Sequence, residues 1–403
     1  MTASQSAPAP TQWLQILLRL GRHSWWLSLL LWLVAIVPAR AAELELRVAI
    51  EQGEDQVVIG SSTPAVVKDA SGRVLVRLEA NTAVMAEAAG GAIRLDQWQT
   101  GQVWIEPAND GLVSIGTEAS TSKWYRGRTL VVPTSDGLTA VNYIDLEEYL
   151  YSVVGGEMPT SWSLEALKAQ AVAARSYALY QRQTSANSVY DMGDTTRWQF
   201  YEGVSQEAPS TIAAVNATAG QVLTYNNQII NAVFHSSSGG HTENSEDVWV
   251  QALPYLRAVP DFDQDAEVFQ WERTFSADEM RSRITGVGNI LAFQPGRMIG
   301  NRRVRTMQVV GDAGTREMSG DAIRQALDLR STFFAISSDI GPVASTRSVA
   351  STPSGFRVSG RGFGHGLGMS QYGAYALARQ GNTYQQILAH YYRDTTLARI
   401  QVR

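Results

Sequence analysis

The sequence predicts an α+β fold, in which a β-rich framework carries one long alanine-rich helix beside a cleft. Three patterns predict it. From Glu43 the chain alternates, with Leu44, Leu46, Val48 and Ile50 on one side and Glu43, Glu45 and Arg47 on the other. That is the two-residue period of a half-buried strand. Leu164, Leu167, Ala171, Ala174 and Ala178 recur at three and four residues, the period of a helix with one stripe on the core. Near the end, Thr383 and Gln386 form a capping box ahead of Ile387, Leu388 and Tyr391, which predicts a closing helix.

Taken in order, the chain opens with Arg19 and Arg22, an apolar run from Trp25 to Val37, and then Pro38-Ala39-Arg40-Ala41-Ala42. This is the layout of a secretory signal, and the run is short of the ~20 residues that span a bilayer. Cleavage after Ala41 is the first expectation and an uncleaved N-terminal membrane anchor the second. Either one exports the rest to the periplasm or cell envelope. Residues 42–120 are expected to be β-rich, with Val74, Val76 and Leu78 alternating after the turn at Ser71-Gly72 and short strands at Val103–Ile105 and Val113–Ile115. Their apolar faces need a partner sheet from the chain that follows.

Residues 121–403 form the expected main domain. A hairpin from Trp124 to Ile144 leads into a short helical turn at Asp145–Tyr149, and the alanine-rich helix follows, capped by Ser161 or Ser163. Lys168 and Arg175 lie seven residues apart on a second face of that helix, which can present two cations to a cleft. Residues 273–330 have the mixed pattern of a small α/β insertion, with helices near Ser276–Ile284 and Ser319–Leu329 and strands near Val304–Val310. A Ser-, Thr- and Pro-rich stretch from Ser337 to Pro353 reads as a long loop.

Composition narrows the chemistry. The net charge of -5 gives no general reason to bind nucleic acid, which needs clustered Lys and Arg. The absence of cysteine removes disulfides, thiol catalysis and thiolate metal sites together.

Three clusters can carry chemistry. In Gly155-Gly156-Glu157-Met158-Pro159 the glycines permit unusual backbone angles or close approach of a ligand, and Glu157 stands near a positive helix end. The alternative is that Glu157 only complements that helix dipole. The second cluster runs from Phe234-His235-Ser236-Ser237-Ser238-Gly239-Gly240-His241 to Glu246, Asp247 and Trp249. Its imidazoles, hydroxyls and carboxylates suit sugar hydroxyls, less well a metal because no HExxH helix or cysteine is present, or nearly equally a structural polar loop. The third, Gly362-Phe363-Gly364-His365-Gly366-Leu367-Gly368-Met369-Ser370-Gln371-Tyr372, lacks dinucleotide spacing and leads into a helix at Ser370. Asp261, Asp263, Asp265 and Glu272 imitate a calcium loop, but Ala266 stands where the turn glycine belongs. Trp162, Trp198, Tyr201 and Trp249 can stack on sugar rings or fill the core.

In this order the clusters resemble the SpoIID/LytB family, over roughly Trp124 to Leu397. The resemblance implies a peptidoglycan lytic transglycosylase that cuts the bond between N-acetylmuramic acid and N-acetylglucosamine in peptide-free strands. It implies Glu157 as the catalytic acid. Lys168, Arg175, His235, Ser236, His241, Glu246, His365, Gln371 and Tyr372 are the expected substrate-binding residues. Some members hold zinc through histidine and cysteine; with His235 and His241 but no cysteine here, no metal or other cofactor is expected. The rival expectations are a non-catalytic wall-binding enhancer of a cell-wall amidase and a purely structural envelope protein.

Overall fold

The computed structural model describes residues 44–195, 197–300, 302–339 and 353–400. The apolar run Trp25–Val37 and most of the Ser337–Pro353 stretch lie outside them. Among the described residues no helix is long and apolar enough to cross a membrane.

The architecture is α+β and begins with two sheets. The first has seven strands in the order Met192–Gly193, Glu45–Glu54, Gly137–Asp145, Arg128–Thr134, Val103–Pro107, Ala65–Lys68 and Val74–Leu78. The alternation buries Leu46 and Val48, but a bulge between Ala49 and Glu51 breaks the register and leaves Ile50 half-buried. The opening strand pairs antiparallel with Gly137–Asp145, so the following chain supplies strands to the first sheet, whereas the facing sheet comes almost wholly from the early residues themselves and not, as expected, from the chain that follows. The second sheet has the order Lys123–Tyr125, Val113–Gly116, Gln56–Ser61, Thr82–Ala89, Ala92–Leu95 and Trp98–Thr100. Val57, Ile59, Val67, Ile105, Ile115 and Val131 bring both sheets into one core, each such side chain contributing roughly 1.5–3 kcal/mol by leaving water.

The α-helices run α1 (Leu146–Glu157), α2 (Leu164–Thr184), α3 (Pro209–Ala217), α4 (Ser245–Val248), α5 (Ala277–Arg283), α6 (Gly320–Leu327), α7 (Gln371–Arg379) and α8 (Tyr384–Tyr391). The expected short turn at Asp145–Tyr149 is instead the first part of α1. Asp145 caps it by accepting from the Glu147 and Glu148 amides, and the helix runs on through Gly155 and Gly156. These glycines serve close approach rather than unusual angles, since a Cβ at Gly155 would fall 1.9 Å from the Gln206 carbonyl oxygen.

The alanine-rich helix α2 also departs from expectation. Leu164 is exposed, while nearly every side chain from Ala166 to Leu179 is buried. Alanine leaves room for α1, α3, α7 and α8 to pack around it, so α2 is a central pillar with no solvent face over most of its length. The predicted capping box of α8 forms, with the Thr383 amide donating to Gln386 at 2.8 Å, and Ser370 caps α7.

A second core gathers Trp271, Phe275, Ile284, Val309, Ile323, Phe334 and Val358. Two three-stranded sheets surround it, Gln270–Ser276 with Gly355–Arg361 and Phe334–Asp339, and Ile290–Pro295 with Thr306–Gly311 and Gly314–Ser319. Helices α5 and α6 complete this second body. Arg303 joins it to the rest. Fully buried, its guanidinium donates to the carbonyl oxygens of Ser238 at 2.9 Å and Gly364 at 3.2 Å, with the Glu243 carboxylate 3.7 Å away.

Candidate functional site

A cleft of about 840 Å³ brings Glu157 together with Phe234, His235, Ser236, Trp249, Phe363, His365 and Gln371 on one side. The second body supplies the facing lining, including Val304, Arg305, Ser319 and Arg324.

Glu157 closes α1 and so stands at the negative end of a helix rather than a positive one. Complementing a helix dipole is therefore not its role, because that end favours cations. Its Oε1 accepts from the Phe200 amide at 2.9 Å and its Oε2 from Gln371 at 3.4 Å. Burial pushes its carboxyl above the ordinary glutamate value, and these two hydrogen bonds pull the other way without cancelling the shift.

Gly156 sets this geometry. A Cβ there would sit 2.6 Å from Phe200 Cδ1 and 3.0 Å from the Phe200 oxygen, so only glycine lets the Phe200 amide reach Glu157. Gly156→Ala favours the helix by up to ~1 kcal/mol but displaces Phe200. Because displacing Phe200 removes a hydrogen bond that favours the charged carboxylate, the Glu157 carboxyl should titrate higher in Gly156→Ala, which an NMR titration checks. The thermal midpoint should fall by no more than a few degrees. An unchanged titration would show that the Phe200 contact does not matter.

Partners fix the neutral tautomer of His365, and burial disfavours the charged form of both imidazoles. The Leu367 amide donates to His365 Nδ1 at 3.0 Å, so the ring proton is on Nε2, which donates to the Phe234 carbonyl at 3.1 Å. His235 Nδ1 donates to the Leu367 carbonyl at 3.0 Å, and its buried Nε2 has no partner among the described residues. Burial, helped by the field of Arg303, holds His365 down at about 4. Burial, then His365 and Arg303, keep His235 well below the usual histidine range. The glycine loop makes this packing possible: a Cβ at Gly364, whose φ is +112°, would strike the His235 Cβ at 2.6 Å.

The other expected site residues are placed elsewhere. Arg175 is fully buried and does not line the cleft; it pairs with Glu147 at 2.5 Å and donates to the Gln221 carbonyl at 3.0 Å. Lys168 pairs with Glu165 at 2.7 Å and lies over Tyr384. Both point toward α2's packing partners because that helix has no cleft-facing side. Glu246 is held by Arg257 at 2.6 Å. Tyr372 lies edge-on to Trp162, which stacks on Tyr375 at 4.5 Å. Among the aromatic candidates, Trp249 lines the cleft and Tyr201 is buried in the core.

His241 does not join His235. Its Nδ1 faces the Thr242 oxygen at 2.6 Å and the Arg302 guanidinium at 3.4 Å. A cation beside one imidazole, and no convergent group of three His, Asp or Glu among the described residues, do not fit a zinc site. Asp261 and Asp263, from the calcium-like spacing, bind the Ser238 and Ser237 hydroxyls.

Sequence reasoning missed the cleft cations. Arg305 and Arg324 take the place expected for Lys168 and Arg175. The available signal was the density of arginine at 297, 302, 303 and 305, in a segment read only for its secondary structure.

Comparison with known proteins agrees with the motifs. A family model described as stage II sporulation protein matches residues 134–225, and one described as a domain of unknown function matches residues 247–368. The chain is 34% identical over 284 residues to stage II sporulation protein D of Bacillus subtilis (strain 168), covering 64% of this chain and 76% of that one. Its counterpart from Bacillus amyloliquefaciens is 36% identical with the same coverage. The amidase enhancer of Bacillus subtilis is 33% identical over 293 residues, which span 62% of this chain and 40% of that protein. With the Gly-Glu-Met-Pro turn, the Phe-His-Ser segment and the glycine-rich histidine loop meeting in one cleft, and similarity across three quarters of these sporulation proteins, the chain belongs to the SpoIID/LytB family.

Proposed function

We propose that this protein is a peptidoglycan lytic transglycosylase acting on peptide-free strands in the cell envelope, with Glu157 as its only acid and base. The observation that carries this reading is a single carboxyl group, partly open to a large cleft and pushed toward its protonated form by burial. Glu157 gives its proton to the glycosidic oxygen as the bond to C1 of N-acetylmuramic acid breaks. The 6-hydroxyl of the same sugar attacks C1 and returns its proton to Glu157, leaving a 1,6-anhydro end without water. A hydrolase needs a second carboxylate for its water or covalent step. The other acids lining the cleft are engaged, Asp247 by Asn244 at 3.0 Å and Asp321 by Gln325 at 2.9 Å.

Ser236 and Gln371 line the cleft with polar groups for sugar hydroxyls, buried His235 backs them, and Trp249 and exposed Phe363 offer faces for sugar rings. In this reading residues 121–403 are the catalytic part, with residues 42–120 extending its sheets and the second body walling the cleft; that body is wider than the 273–330 expected, because Phe334–Asp339 and Gly355–Arg361 complete its sheet. The N-terminal signal or anchor would carry the chain to its substrate.

Mass spectrometry of peptide-free strands incubated with the protein tests the proposal; anhydromuramyl ends should accumulate. Strand binding with no new ends would favour the second reading, which the name of the amidase-enhancer relative supports: a non-catalytic protein that binds the wall and stimulates an amidase. The pH profile adds a check. The acid must be protonated, so kcat/KM is full below the raised Glu157 value and falls as pH rises through it. That falling limb should lie above the ~4.3 of an ordinary glutamate. A rate that increases across this range would contradict a general-acid role.

A further inference from the structure

We propose that Arg305 and Arg324 bind a free carboxylate on the sugar strand, so that the cleft selects acidic sugars whose carboxyl group is not in amide linkage. The inference rests on reading the Glu157 cleft as a glycan site, and adds the group that the site selects.

Both arginines come from the second body and line the same cleft as Glu157. Arg305 follows the short strand Arg303–Val304. It donates one N–H to the Asp247 carbonyl oxygen and makes no ion pair among the described residues. Arg324, on α6, has Asp321 at 3.4 Å one turn earlier. That carboxylate is largely exposed and shared with Gln325 at 2.9 Å, so it holds the guanidinium weakly. Each guanidinium carries five N–H donors, and among the described residues only one of them on Arg305 and one on Arg324 makes a hydrogen bond. The remaining titratable groups there are the two neutral imidazoles, Glu157, and Asp247 held by Asn244.

A guanidinium matches the two oxygens of a carboxylate with two parallel N–H donors. N-acetylmuramic acid carries a lactyl carboxyl. In a peptide-free strand that group is a carboxylate. In a peptide-bearing strand it is an amide, which offers one oxygen and presents an N–H that arginine has no lone pair to accept. The two arginines therefore favour the strand from which peptide has been removed through a charge, in addition to any effect of bulk.

The test uses the full chain with Glu157→Gln to stop turnover, and two defined strands, one with free lactyl carboxyls and one with carboxamides. The free-acid strand should bind about tenfold or more tightly. The preference should disappear when Arg305→Gln and Arg324→Gln are added. Equal binding of the two strands, or a preference that survives both substitutions, would overturn the proposal. If the arginine variant fails to fold, the comparison of acid with carboxamide on the parent chain decides. A carboxylate preference without anhydro ends from the wild type would remove the transglycosylase reading and leave this one. Anhydro ends formed equally from both strands would do the reverse.

Discussion

Glu157→Gln is expected to lower the rate of anhydro-end formation by about 10²–10⁴-fold, the usual worth of a positioned general acid and base. Glutamine keeps the shape of the side chain, and its oxygen still accepts from the Phe200 amide that Glu157 Oε1 meets at 2.9 Å. It has no acidic proton to give and no basic oxygen to take one back. The variant should fold as well as the parent, because burial already disfavours the charged form of this group, and the amide carries no charge. Strand binding should persist. Time courses of anhydromuramyl release, with binding measured on the same preparations, check both halves. Release at the parental rate would show that proton transfer lies elsewhere.

The largest effect on stability is expected from Arg175→Met. The guanidinium is fully buried in α2, paired with Glu147 and hydrogen-bonded to the Gln221 oxygen. Removing one partner of such a pair leaves the other uncompensated, which costs about 3–5 kcal/mol. The Gly220 amide, 3.0 Å from Glu147, is too little to balance a carboxylate that is three-quarters enclosed. Chemical denaturation should show that loss, and adding Glu147→Leu should restore part of it. The fraction that remains folded should cleave strands with an unchanged KM, because Arg175 is a strut and not a cleft residue. A raised KM with unchanged stability would return Arg175 to the substrate.

These two residues also show what the sequence could and could not disclose. Glu157 was legible because glycines, a proline and an acid crowd one turn, although the helix end it occupies was read with the wrong sign. Strand alternation at Leu46 and Val48 and the Thr383–Gln386 cap were legible because local period and capping chemistry act within a few residues. Arg175 was not, because periodicity finds the buried stripe of a helix with a solvent face, and α2 has none over most of its length. Arg305 and Arg324 were hidden for another reason. They line the Glu157 cleft from about 150 residues farther along the chain, and a local density of arginine does not say to which cleft the tertiary fold brings it.

Arg303 makes the second body more than an accessory to the motif loops. Its guanidinium occupies the space where a side chain at Gly366 would lie, with Nη2 only 2.5 Å from that Cβ position, and it ties the Ser238 and Gly364 oxygens together. A chain trimmed to its family motifs would keep Glu157, His235 and His365 in sequence. It would nevertheless leave a guanidinium-sized hollow behind the histidine loop and two carbonyls without their donor. The protein is in this sense keyed, and the part that looks detachable is the bolt that keeps the histidine loop in shape.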